Sequence, residues 1–257
     1  QTGAFFEGLF YLFTPDFSKI NATVILAALG QAFFTLSLGM GAIMAYGAYM
    51  PANQNIGSTA LSVAFLDTLV AILAGIAIFP IVFANNLEPA AGPGLVFVTL
   101  PWAFANMPLG IIFGKLFFIL LSIAALSSAI SLLEPGVAWI VESLKTKRYV
   151  AAGGLGLIAW TLGILSALSF NLISDFTPIG DRNFFDSMDF LSNQVLLPLG
   201  GILIAIFVAW VMKREHVLEE LEIKEGWLLK TWFILLKFLS PLMVGIVFVA
   251  AVFFGVT

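Results

Sequence analysis

Apolar residues in this chain fall in long unbroken runs, not in the alternation of a half-buried strand or the three-and-four spacing of a surface helix. A helix needs about 20 predominantly apolar residues to cross a bilayer, and six runs reach that length: 24–47, 59–83, 109–141, 150–170, 190–212 and 227–256. Charges inside them are few. Asp67 lies in the second run, Lys115 and Glu134 in the third, and Lys230 and Lys237 in the sixth. The pattern predicts an all-α polytopic membrane protein, with residues 1–23 as an external loop segment and residues 24–257 as a six-helix transmembrane region. The opening QTGAFFEGLF is amphipathic and too short to span.

Six crossings put both ends of the segment on one side. Basic residues in short connectors mark the cytoplasmic side, and Lys145, Lys147, Arg148, Lys213, Arg214 and Lys224 outnumber Lys19, Lys115 and Arg182 on the other. Both termini are therefore expected outside the cell or in the periplasm, around an inner (plasma) membrane. That arrangement is natural for a piece of a longer protein. The connector NNLEPAAGPGLVFVTLPWAFANMP is semi-apolar and rich in Pro and Gly, and it is expected to fold back at the outer mouth.

Composition agrees with the pattern. The 257 residues are 61% hydrophobic and only 10% charged, against about 25% charged in a soluble domain, and the mean hydropathy is +1.07. The absence of Cys removes disulfides, thiolate metal sites and a cysteine nucleophile, and the single His, His216, lies in a connector. No GxSxG or HExxH pattern occurs, so an enzyme is not expected. The formal charge of −4 is dispersed, which argues against a nucleic-acid partner.

The remaining polar residues carry the chemistry. In the first run, Thr35, Ser37, Gly39 and Gly41 lie near mid-membrane. They read either as a helix break that exposes carbonyl oxygens to a ligand or as close helix packing. In the third, Ala124, Ser127, Ser128 and Ser131 share a helix face ahead of Glu134-Pro135. That face would offer oxygens to a cation, or its hydroxyls would bond back one turn and only pack. Glu134-Pro135 reads as a kink with its carboxylate toward a watery vestibule. Asp67 is costly in an apolar span, and such residues usually mark an ion path. Asp189, at the outer end of the fifth run, reads as an interfacial cap.

The segments GQAFFTLSLGMGAIMAYGAYM, LDTLVAILAGIAIFP, ALSSAISLLEP and SMDF together resemble the neurotransmitter:sodium symporter family, whose architecture is the leucine-transporter-type inverted-repeat fold. The likeness covers nearly the whole chain, from the third extracellular loop through helices six to eleven. It implies a sixth helix broken mid-membrane, with Phe34, Thr35, Ser37, Met40, Ser128 and Leu132 lining a substrate site. It further implies two sodium sites, one using Thr35 and Asp67, the other the Ala124 carbonyl with Ser127 and Ser128. Gln31 and Asp189 would belong to an outer gate, and Tyr49 and Glu142 to an inner one, with each partner arginine outside this chain. Two departures stand out. Asp67 occupies a position where many members have Asn, which implies no chloride requirement, and Met40 one where the bacterial leucine transporter has an aromatic residue.

The resemblance implies sodium-coupled symport of an apolar or aromatic amino acid by alternating access. The five preceding helices of the same protein would be needed as a partner, so this portion would be inactive alone. The alternative is a membrane assembly subunit or receptor that keeps the fold without transporting.

Overall fold

The computed structural model describes residues 2–51, 54–87, 92–221 and 226–254. Those residues are mainly helical, and their extended pairing is limited to an isolated bridge between Ile179 and Arg182. Helix α1 (Thr2–Phe13) is the amphipathic opening. The first long apolar run divides into α2 (Ala22–Thr35) and α3 (Ala42–Ala48), with the helical ladder interrupted over 36–41. Then come α4 (Ile56–Ala84), α5 (Gly92–Ala105), α6 (Gly110–Leu144), α7 (Arg148–Leu168), α8 (Phe184–Val211) and α9 (Arg214–Leu221), and α10 occupies 227–254.

Five of these are long and apolar enough to cross a membrane: α4, α6, α7, α8 and the Leu229–Val252 stretch of α10. The six expected crossings thus become five continuous helices and one interrupted helix, because neither α2 nor α3 reaches spanning length alone. Pro80 and Pro135 both lie inside continuous helices. At three places α8 and α10 widen to i→i+5 turns, where Leu197 N–H reaches the Ser192 carbonyl, Met212 N–H that of Phe207 and Ser240 N–H that of Leu235.

Two expectations are corrected. The fifth crossing begins at Phe184, not at 190, because the Asn183 side chain accepts from Asp186 N–H and starts the helix early. Asp189 is consequently no cap. It lies inside α8, where its Oδ1 accepts from Asn193 Nδ2 at 2.6 Å. Lys224, one of the basic connector residues, falls outside the described residues.

The chain sorts into two compact units, residues 1–19 with 62–129 and residues 20–61 with 130–257. In the first, α1 lies close on α4. A Cβ on Gly8 would come 2.6 Å from Pro80 N, and the Tyr11 ring sits 5.0 Å from Phe79 and 5.5 Å from Phe83. The Pro- and Gly-rich connector supplies α5, which buries Leu100, Ala103 and Phe104, the last 5.6 Å from Phe117 of α6. In the second unit, α2, α8 and α10 pack together and bury Leu197, Ala205, Val244, Ala250 and Ala251. Along α6, Ile111, Leu120, Ile123, Leu126 and Ile130 remain exposed. Apolar surface of that extent is stable only against lipid or further protein.

Candidate functional site

The break between α2 and α3 is built by hydrogen bonding. Ser37 N–H bonds to the Phe34 carbonyl and Leu38 N–H to the Phe33 carbonyl, both at 3.0 Å, the paired closure that ends a helix with a left-handed residue. That residue is Ser37, at φ +53°. A non-glycine there costs about 1–2 kcal/mol, so the site keeps a hydroxyl at a position where glycine would be less strained. Gly39 follows at φ +82° and Gly41 at φ +80°.

This break is wedged against α8. A Cβ on Gly39 would lie 2.3 Å from the Leu197 carbonyl oxygen, one on Gly200 would lie 2.2 Å from the Gly39 carbonyl oxygen, and one on Gly201 would lie 2.7 Å from the Phe33 ring. The LPLGG stretch of α8 therefore meets the break backbone to backbone. Sequence reasoning missed this role, although two adjacent glycines in an apolar run are the usual signal of close helix approach.

Two tyrosines tie α3 to α6. The Tyr46 hydroxyl hydrogen-bonds Ser131 Oγ, and the Tyr49 hydroxyl donates to Glu134 Oε1 at 2.7 Å. The other carboxylate oxygen accepts from Arg148 Nη2 at 2.5 Å. The Glu134 side chain is only 12% exposed, so a nearly covered carboxylate has a donor on each oxygen. Tyr49 thus pairs with Glu134, and Glu142, two turns further along α6, is exposed. Arg148, a connector charge by its place in the sequence, is part of this cluster.

The other expected residues divide between the two units. Phe34, Thr35, Ser37, Met40, Leu132, Gln31 and Asp189 belong to the second, where Ser37 and Met40 are half-buried and the others exposed or partly so. Asp67, Ala124, Ser127 and Ser128 belong to the first. There the Ser127 hydroxyl donates to the Ala124 carbonyl at 2.8 Å, so the back-bond of the packing reading forms. It also brings together two of the oxygens expected to hold a cation. Asp67 is half-buried on α4. Among the described residues no group of three His, Cys, Asp or Glu could hold a metal ion.

The chain thus carries a broken helix with a left-handed serine, a serine and carbonyl pair on another helix, and an acid within a long apolar helix. Residues 2–255 match the sequence model of the Sodium:neurotransmitter symporter family, and the chain belongs to that family. It is similar to an uncharacterized sodium-dependent transporter of Bacillus subtilis, YhdH, at 38% identity over 94% of this chain and 54% of the relative. The human sodium- and chloride-dependent creatine transporter 1 is 24% identical over 92% of this chain and 38% of its own length. Among solved structures, MhsT in complex with L-phenylalanine superposes with a TM-score of 0.87 at 48% identity, covering 97% of this chain and 57% of that one. The chain spans about half the length of the bacterial relatives it matches.

Proposed function

We propose that this chain supplies the broken-helix part of the substrate and sodium sites of a sodium-coupled amino-acid symporter in the plasma membrane. The observation that carries this reading is the break at 36–41. Interrupting the ladder there turns carbonyl oxygens and the ends of two half-helices sideways, which is how a transporter receives a charged amino group or cation within the bilayer. Phe34, Thr35, Ser37 and Met40 line it, with Leu132 contributed by α6. The substrate is an apolar or aromatic amino acid. Met40 is flexible and polarizable enough to repack around such side chains, and the similar MhsT was solved in complex with L-phenylalanine.

Sodium is co-substrate. Thr35 and Asp67 serve as sodium ligands, and the Ala124 carbonyl with Ser127 and Ser128 holds a second ion. Ions bound beside the substrate stabilise the occluded state, so the sodium gradient biases which way the site opens. Gln31 and Asp189 act at the outer gate and Tyr49 and Glu142 at the inner one, and both ends of this segment face outside. Helices outside this chain complete the pathway. The test is uptake of labelled L-phenylalanine by the full-length protein in liposomes with an inward sodium gradient. Uptake that collapses with the gradient supports the reading, and uptake indifferent to sodium contradicts it.

A further inference from the structure

The first half of α8 is irregular where it packs against its neighbours. Over Phe190–Leu196 its turns widen, with Leu197 N–H reaching the Ser192 carbonyl, and this segment lies against α2 and α10. Wide turns give up regular α-helical bonding and occur mostly at functional sites. Three polar side chains sit in this one. Ser192 Oγ donates back to the Met188 carbonyl at 2.8 Å. The Asn193 amide is oriented by its Nδ2, which donates to Asp189 Oδ1 at 2.6 Å. Asn193 Oδ1 accepts from nothing, and neither does Gln194 Oε1, although both are fully covered by this chain's own atoms. Neither solvent nor a further segment can reach these oxygens while the seam keeps this shape.

A covered amide oxygen without a donor has given up its hydrogen bonds to water and gained none in return, which destabilises the packing that covers it. A seam that never opened would be more stable with Met and Leu at these two positions. The wide turn is also joined to the helix break. Leu197, whose N–H closes the turn, has its carbonyl oxygen 2.3 Å from where a Cβ on Gly39 would lie. A shift of the turn therefore moves the surface on which the break over 36–41 rests.

We propose, on the symport reading above, that the seam of residues 190–196 with α2 and α10 is a two-state element of the transport cycle. The sealed state is the one seen here. In the open state the seam parts enough for water to reach Asn193 and Gln194, and the break moves with Leu197. The two unpaired oxygens raise the energy of the sealed state, which keeps it close to the open one and lets the protein exchange between them. These amides therefore act on the rate of exchange and not on the bound amino acid.

The test uses the full-length protein with Gln194→Met, which keeps the length of the side chain and removes the amide. The variant has a raised unfolding temperature in detergent and undiminished equilibrium binding of labelled L-phenylalanine in sodium. Its maximal uptake rate in liposomes falls by about fivefold, the low end of what an unsatisfied buried acceptor is worth. A purely structural role would instead lower stability and uptake together. Should Gln194→Met fail to insert, Asn193→Leu makes the comparison through rate and binding, again with slower uptake and undiminished binding. A lowered unfolding temperature in Gln194→Met, weakened binding, or an unchanged maximal rate in an inserted variant overturns the proposal. Absence of sodium-dependent binding in the unsubstituted protein overturns the symport reading, and the two-state seam with it.

Discussion

Gly39 and Gly200 meet backbone to backbone, so closely that a Cβ on Gly200 would lie 2.2 Å from the Gly39 carbonyl oxygen. The shape of the helix break therefore depends on a helix far away in sequence. A methyl group at Gly200 must push the break away from α8, and overpacking of this kind typically costs about 1–3 kcal/mol. Gly200→Ala is expected to lower both thermal stability in detergent and affinity for the amino acid. Gly245→Ala, where an added Cβ meets nothing within 4 Å, serves as the control and leaves both unchanged.

The Tyr49, Glu134 and Arg148 cluster predicts an order of effects. Glu134 is 12% exposed and Arg148 is 61% exposed. Removing Arg148 leaves a mostly covered carboxylate short of its cation, whereas removing the carboxylate leaves an arginine that water can solvate. Arg148→Ala should therefore lower the unfolding temperature more than Glu134→Gln does. Tyr49→Phe removes one interhelical hydrogen bond, worth below about 2 kcal/mol in membranes, and should have the smallest effect. Thermal unfolding of the three variants in one detergent checks the order.

Ser127 and Ser128 are expected to govern sodium affinity more than folding. Loss of a hydroxyl from a packed helix face in lipid costs about 1 kcal/mol. Replacing both with Ala should raise the sodium concentration needed for half-maximal amino-acid binding while the protein still inserts. An unchanged sodium titration would mean that the Ser127 bond to Ala124 is packing and nothing more.

Asp67 bears on anions. A fixed carboxylate beside a sodium ion balances charge that would otherwise call for a bound anion. Uptake should be indifferent to replacement of chloride by gluconate. Asp67→Ser should be impaired or acquire a chloride requirement. Collapse of wild-type uptake without chloride would remove this role.

The crossings were legible because an uninterrupted apolar run of about 20 residues has the length of the hydrocarbon core and little else to cover it. The break was legible because Ser37, Gly39 and Gly41 cluster where a helix should be regular. The start of α8 was not. FFDSMDF looks polar enough for a loop, and only the Asn183 cap makes those residues helical. The partner of Tyr49 was also hidden. Which residue of α6 meets its hydroxyl is set by how far α3 slides along α6, and the structure pairs Tyr46 with Ser131 and Tyr49 with Glu134. The Gly39 and Gly200 contact depends on tertiary packing between distant segments, to which local patterns are blind.

If the break at 36–41 binds an apolar amino acid together with sodium, occupancy of the site must depend on the cation. Equilibrium binding of labelled L-phenylalanine to the purified full-length protein, in sodium and then in potassium, tests this most directly. The expected result is saturable binding in sodium that potassium does not support and that weakens in Gly200→Ala. Equal binding in both salts, or no binding of L-phenylalanine or any other apolar amino acid in sodium, would contradict it.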